Sequence, residues 1–152
     1  MKIRLIVTTK SLTGLLALLF IASVSTHAQR KEFHYWPEKV TLTGRLVLRT
    51  FYGPPNYGEN PKTDSRETQA ILILDSAVNV TATGSDTTDE TERNVKRITL
   101  VVHDFKANPV RPLLGRHVRV EGTLFHAITG HHHTKVLITV SSIRAAKRGE
   151  RL

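Results

Sequence analysis

Five segments of this chain alternate apolar and polar residues with a period of two, and no segment of useful length carries a 3.6-residue period. A two-residue period puts successive side chains on opposite faces of an extended strand, so the fold class is all-β. The first strand is expected over 38–51, with Val40, Leu42, Leu46 and Leu48 inward and Thr41, Thr43, Arg45 and Arg49 outward. The second, 69–75, is apolar on both faces and therefore central, and Val78-Asn79-Val80 offers a continuation after a kink at Ser76-Ala77. The third is 96–105 with Ile98, Leu100 and Val102 inward, the fourth 116–127 with Val118, Val120 and Leu124, and the fifth 135–143 with Val136, Ile138 and Val140. Residues 83–94 are acidic and polar and read as a flexible loop.

Gly44 and Gly122 each interrupt an inward row, and an interior strand glycine marks a bulge or a sharp bend. Pro109 and Pro112 limit the 106–115 linker to a short helical turn around Leu113-Leu114. Five strands, a longer connection between the third and fourth, and two glycine breaks suggest a small five-stranded OB-like barrel over 38–143. An open meander or small sandwich is the alternative. At 152 residues the chain is long enough for one such domain and short for two.

Two connections are richer than turns require. Residues 52–64 hold three prolines and two glycines, which restrict a long loop to one shape while Tyr52 and Tyr57 offer rigid contact area. The other is the turn 126–134, with His126 followed by His131, His132 and His133. In an OB barrel the loops after the first and fourth strands flank one binding face, so Tyr52, Tyr57, Glu59, Asp64, His126, His131, His132 and His133 become candidate ligand-binding residues. If Leu124 and Val136 both face the core, His126 and His132 share one face of the hairpin and His131 and His133 the other. His126 and His132 are then the first candidates for a Zn, Ni or Cu site, with Glu59, Asp64 or His103 completing it. A polar hairpin tip with no metal is the plainer reading, since no established ligand spacing is present. No other cofactor is implied.

Other chemistry finds little support. The chain has no cysteine, which excludes disulfides, thiolate metal sites and a cysteine nucleophile. It has no nucleophile elbow, phosphate loop or dinucleotide fingerprint. No residue is therefore put forward as catalytic. The aromatic run 33–37 is expected to pack on the barrel and tie down the chain entry.

Residues 1–28 read as a cleaved signal peptide, with Lys2, Arg4 and Lys10 ahead of an apolar run and small residues ending at Ala28. Export to the periplasm or the medium follows, with no stable membrane anchor after cleavage. Residues 29–37 then form an N-terminal segment before the 38–143 domain, and 144–152 a basic tail. After cleavage the chain carries 19 basic and 13 acidic side chains, a net charge of +6, but residues 32–143 carry only +1. Such a body lacks the basic face of a nucleic-acid binder, so no nucleic-acid partner is expected. The tail is expected to be solvated and frayed.

The residues Gly44-Arg45-Leu46, 52–59, Asp64, 115–122 and above all the run from Leu124 to Leu137 resemble the bacterial domain-of-unknown-function family 4431, over about residues 38–141. The resemblance implies an exported bacterial β-domain without an established activity. Lys135 departs from it, standing where a proline or other apolar residue is expected. The functional expectation is a non-enzymatic periplasmic binding module that holds a protein, peptide or glycan through its two loops. A transition-metal-binding protein is the alternative. A secreted nuclease-type hydrolase would need an acidic metal cluster with paired arginines, which the sequence does not display.

Overall fold

The computed structural model describes residues 30–82, 89–102 and 110–151, so the expected signal peptide, His103 and part of the acidic loop lie outside the described residues. Among the described residues six strands run in the order β1 (Glu32–His34), β2 (Lys39–Tyr52), β3 (Arg66–Thr81), β4 (Glu92–Val101), β5 (His117–His126) and β6 (Val136–Ala145). A 3-10 turn, Arg111–Leu113, precedes β5, where the two-proline linker allowed one. The described residues contain no helix long and apolar enough to cross a membrane.

Five strands pair in a closed ring. β2 lies antiparallel to both β3 and β5, β3 is antiparallel to β4, β5 is antiparallel to β6, and β4 completes the ring parallel to β6. β1 was not anticipated as a strand, and it adds to the outer edge of the set by pairing parallel with β3. Three residues with no alternation of their own carry no readable strand signal. The expected role of this segment holds in part: Tyr35 is fully buried and the Trp36 N–H donates to the Leu124 carbonyl, whereas the Trp36 ring is exposed.

The ring closes because the long strand β2 serves two partners. Its first half pairs with β5 (Leu42 opposite Val120) and its second half with β3 (Leu46 opposite Leu72). Gly44 stands in both ladders, and a Cβ there would sit 2.2 Å from the Ile73 carbonyl oxygen. Gly122 plays the same part at the β5–β6 bulge, where a Cβ would lie 2.1 Å from the Thr139 carbonyl oxygen.

The inward rows meet in one core that includes Leu42, Leu46, Leu72, Ile98, Leu124 and Ile138. Each such side chain contributes about 1.5–3 kcal/mol by leaving water. Two assignments along β2 are corrected. Leu48 is 48% exposed, because the β5 pairing ends at Arg45, short of this residue. Thr43 is 2% exposed rather than outward, and its hydroxyl donates to Asp75 Oδ2 at 2.7 Å. The two-faced apolarity of β3 is explained by the outer row of Ile71, Thr99 and Leu137, all buried, with Thr134 bonded to the Thr99 amide.

The acidic loop ends earlier than expected, since Glu92–Asn94 already belong to β4. The C-terminal tail is not frayed over its described length. Glu150 accepts from Arg144 at 2.7 Å, from Arg119 at 3.0 Å and from the Lys147 amide at 2.9 Å. The Arg144 guanidinium leads these contacts in holding the Glu150 carboxyl down at about 2.

Candidate functional site

The 52–64 loop is organised from within by Asp64. Its carboxylate accepts from the amides of Asn56 (2.9 Å), Gly58 (2.7 Å) and Asn60 (3.3 Å), and from the Asn56 side chain. Burial opposes ionisation of Asp64, but the N–H groups of Gly58, Asn56 and Asn60 outweigh it and keep its pKa below the ordinary value. Asp64 is therefore consumed in shaping the loop. Tyr57 takes a left-handed backbone, φ 52°, followed by Gly58 at φ 109°, and this turn presents a phenol that is 40% exposed. Tyr52 points elsewhere, beneath the Arg66 guanidinium at 3.7 Å from its ring centre. Glu59 is exposed at the loop surface.

The histidine turn folds back against this loop. Between the end of β5 and the start of β6, the chain is pinned by the Ala127 amide to the Lys135 carbonyl and by the His132 amide to the Thr129 carbonyl. The expected even-to-even register holds next to the turn, with Leu124 opposite Ile138 and His126 opposite Val136, and shifts by one residue beyond the bulge at Glu121/Gly122, where Val120 faces Ile143. The Tyr57 hydroxyl lies 3.2 Å from His131 Nε2, and the two rings meet edge to face at 5.5 Å. Gly130 underlies the phenol, where an added Cβ would come within 2.9 Å of Cζ.

The histidine turn is tied down onto β3 by Glu67, a residue with no distinguishing signal in the sequence. Its carboxylate takes His131 Nδ1 at 2.5 Å on one oxygen and His133 Nε2 at 2.9 Å on the other. An ionised carboxylate only accepts, so His131 carries its proton on Nδ1, and in the neutral ring Nε2 accepts from Tyr57. The contact with His133, followed by that with His131, lowers the Glu67 pKa against the opposing effect of burial. His133 stacks flat on Phe51 with ring centres 4.3 Å apart, and Gln69 Nε2 donates to the His131 carbonyl at 2.6 Å. Glu67 and Phe51 face each other across the β2–β3 ladder. The alternation of β3 puts Glu67 on the Ile71 face, but nothing local in sequence announces that a distant loop descends onto that face.

The pairing of His126 with His132 for a metal is not what the fold assembles. His132 packs edge-on to Phe125 at 5.6 Å, and its Nδ1 accepts the Ile128 amide at 3.0 Å, so it is an internal anchor of the turn. Phe125 and His126 point to opposite faces of β5, which separates the two histidines. Burial, reinforced by the neighbouring His131 and His133, lowers the His132 pKa. His126 instead meets Glu92, with Nε2 3.3 Å from Oε1, while Lys135 Nζ donates to Glu92 Oε2 at 3.1 Å. Tyr35 packs edge-on to His126, and its hydroxyl donates to the Glu90 carbonyl at 2.9 Å. Burial first, then the charges of Glu92, Asp89 and Glu90, raise the Tyr35 pKa. A groove of about 630 Å³ lies beside these residues, lined by Ile73, Arg93, Lys96, Arg97, His133 and Lys135 among others.

One stretch of the chain, which carries the histidine turn, is similar to a known family. Residues 97–144 match the family model of DUF4431, a domain of unknown function. The DUF4431 match runs from within β4 through β5 and the histidine turn into β6, so the 52–64 loop, Glu67 and Glu92 lie outside the matched stretch. It is narrower than the resemblance read over 38–141. No curated protein matches the chain.

Proposed function

We propose that this protein is an exported binding module, an OB-like barrel that recognises its ligand where the loop after β2 meets the turn after β5. The observation that carries this reading is the contact of Tyr57 with His131, reinforced by Glu67, because it turns two distant loops into one preorganised surface. The ring of pairings with one parallel pair, β4 to β6, supports the OB-like barrel, a fold whose first and fourth interstrand loops flank a ligand face. Tyr57 and the 68% exposed Ile128 are the side chains that offer apolar contact to a protein, peptide or glycan. His131, His133 and Glu67 orient that surface. The 1–28 segment supports export, with cleavage after Ala28 to be read by N-terminal sequencing of the secreted chain.

The test is retention of peptide and glycan fractions from a periplasmic extract on immobilised protein. Wild type is expected to retain a component that Tyr57→Ala loses, with the melting temperature of the variant within about 2 °C of wild type, as for an exposed side chain. Equal retention by both proteins removes Tyr57, and with it the joined loops, as the binding surface.

A further inference from the structure

The Glu92–His126 pair lies beside a third donor, Glu90, and the three ligand atoms all fall within 4.8 Å of one another. They come from two parts of the chain: the start of β4, with Glu92 as its first residue and Glu90 just before it, and the last residue of β5. Glu92 and His126 are largely shielded from water, with side chains 9% and 12% exposed, whereas Glu90 is exposed at the rim. Their spacing is informative. Metal–ligand bonds of about 2.0–2.2 Å put neighbouring ligands of one ion roughly 3.0–3.5 Å apart, and Glu92 Oε1 and His126 Nε2 stand at 3.3 Å. That is also long for a charge-assisted hydrogen bond, which closes to about 2.7–2.9 Å.

The charge balance around Glu92 points the same way. Glu92 faces His126 and Lys135, and the Lys135 side chain is 75% exposed. A single ammonium at the solvent edge leaves a buried carboxylate poorly compensated. Tyr35 holds the site together from beneath, with its ring on His126 and its hydroxyl on the Glu90 carbonyl.

We infer that Glu90, Glu92 and His126 form a divalent transition-metal site of the Zn²⁺ class, with Lys135 as a tethered cation that competes with the metal for Glu92. One imidazole and two carboxylates suit Zn²⁺, and water completes the coordination. This site is separate from the Tyr57–His131 surface and does not rest on the binding-module reading. It also replaces the expected His126–His132 pair with ligands from β4 and the residues just before it.

Isothermal titration of the protein with ZnCl₂ tests it, alongside the variants Glu90→Gln, Glu92→Gln, His126→Ala, Lys135→Ala and His131→Ala. One site is expected, with affinity lowered tenfold or more by Glu90→Gln, Glu92→Gln and His126→Ala, unchanged by His131→Ala and raised severalfold by Lys135→Ala. A metal held adventitiously by the histidine turn would not respond to Lys135→Ala in this way. Absence of Zn²⁺ binding up to millimolar concentration overturns the inference, as does binding lost with His131→Ala or retained in both Glu90→Gln and His126→Ala. Glu90 is exposed, so its variant reports on the site even if loss of the buried Glu92 charge unfolds the chain.

Discussion

Replacing Gly122 with alanine perturbs the β5–β6 ladder at its bulge. The added Cβ would lie 2.1 Å from the Thr139 carbonyl oxygen, about 1 Å inside the closest approach that real Cβ atoms make. The obstacle is backbone, so relief requires the two strands to part at the bulge between Glu121 and Gly122. Overpacking of this kind costs about 1–3 kcal/mol, and a weakened ladder hydrogen bond adds about 1 kcal/mol. Against that, alanine restricts the unfolded chain and returns about 0.4–1 kcal/mol. The net expectation is a loss of about 2 kcal/mol, or roughly 8 °C in melting temperature for a domain of this size. Urea denaturation measures the free energy, and Gly115→Ala is the control. Gly115 has φ 76° and nothing within 4 Å of where a Cβ would stand, so its variant feels backbone strain alone, about 1 kcal/mol. If Gly122→Ala is as stable as wild type, or loses no more than Gly115→Ala, the close approach of Thr139 is not what requires glycine there.

Glu67 has a lowered pKa in the folded protein, so the stability it contributes is present above the ordinary carboxylate value and lost as pH falls through the lowered one. Glu67→Gln should therefore be the less stable protein near pH 6–7, with the difference disappearing toward pH 2, measured as urea midpoints across that range. A constant difference at all pH values would assign the effect to packing. His132 also has a lowered pKa, but as a base: the unfolded chain takes up the proton first, so stability falls as pH drops below about 6.5. A ring-carbon NMR titration should place its midpoint below that value, and a midpoint at or above it refutes the burial argument. Tyr35→Phe keeps the buried ring and removes only the hydrogen bond to the Glu90 carbonyl, for an expected loss of about 1 kcal/mol in denaturant unfolding. An unchanged stability would show that water replaces the Tyr35 hydroxyl as donor to that carbonyl at no cost.

The strands were legible because each carries its own period. Val118, Val120 and Leu124 alternate with polar residues in β5, and Ile138 and Val140 flank Thr139 in β6, so the inward faces and the register next to the turn followed from parity, though not the shift at the Glu121/Gly122 bulge. Gly44 and Gly122 were legible as breaks, though not as points where a neighbouring carbonyl approaches a missing side chain. β1 was not legible, since three residues offer no period, and neither was the exposure of Leu48, which depends on where β5 stops. The joining of the 52–64 loop to the histidine turn was anticipated from strand order. The partners within it were not: Asp64 serves its own loop, His132 turns inward, and His126 belongs with Glu92.

Local chemistry therefore determined the all-β character, the inward faces and the two loops rich in unusual residues, because side-chain alternation, proline and glycine act over a few positions of the chain. Tertiary structure alone decided which carboxylate each histidine meets. Glu67 and His131 are 64 residues apart, and Glu92 and His126 are 34 apart. Their meeting depends on closure of the ring through β4 and β6 and on the turn after β5 bending onto the outer face of β3. Hydrogen bonds and ion pairs are short-ranged, so they select partners only after packing of the apolar rows has brought distant segments together.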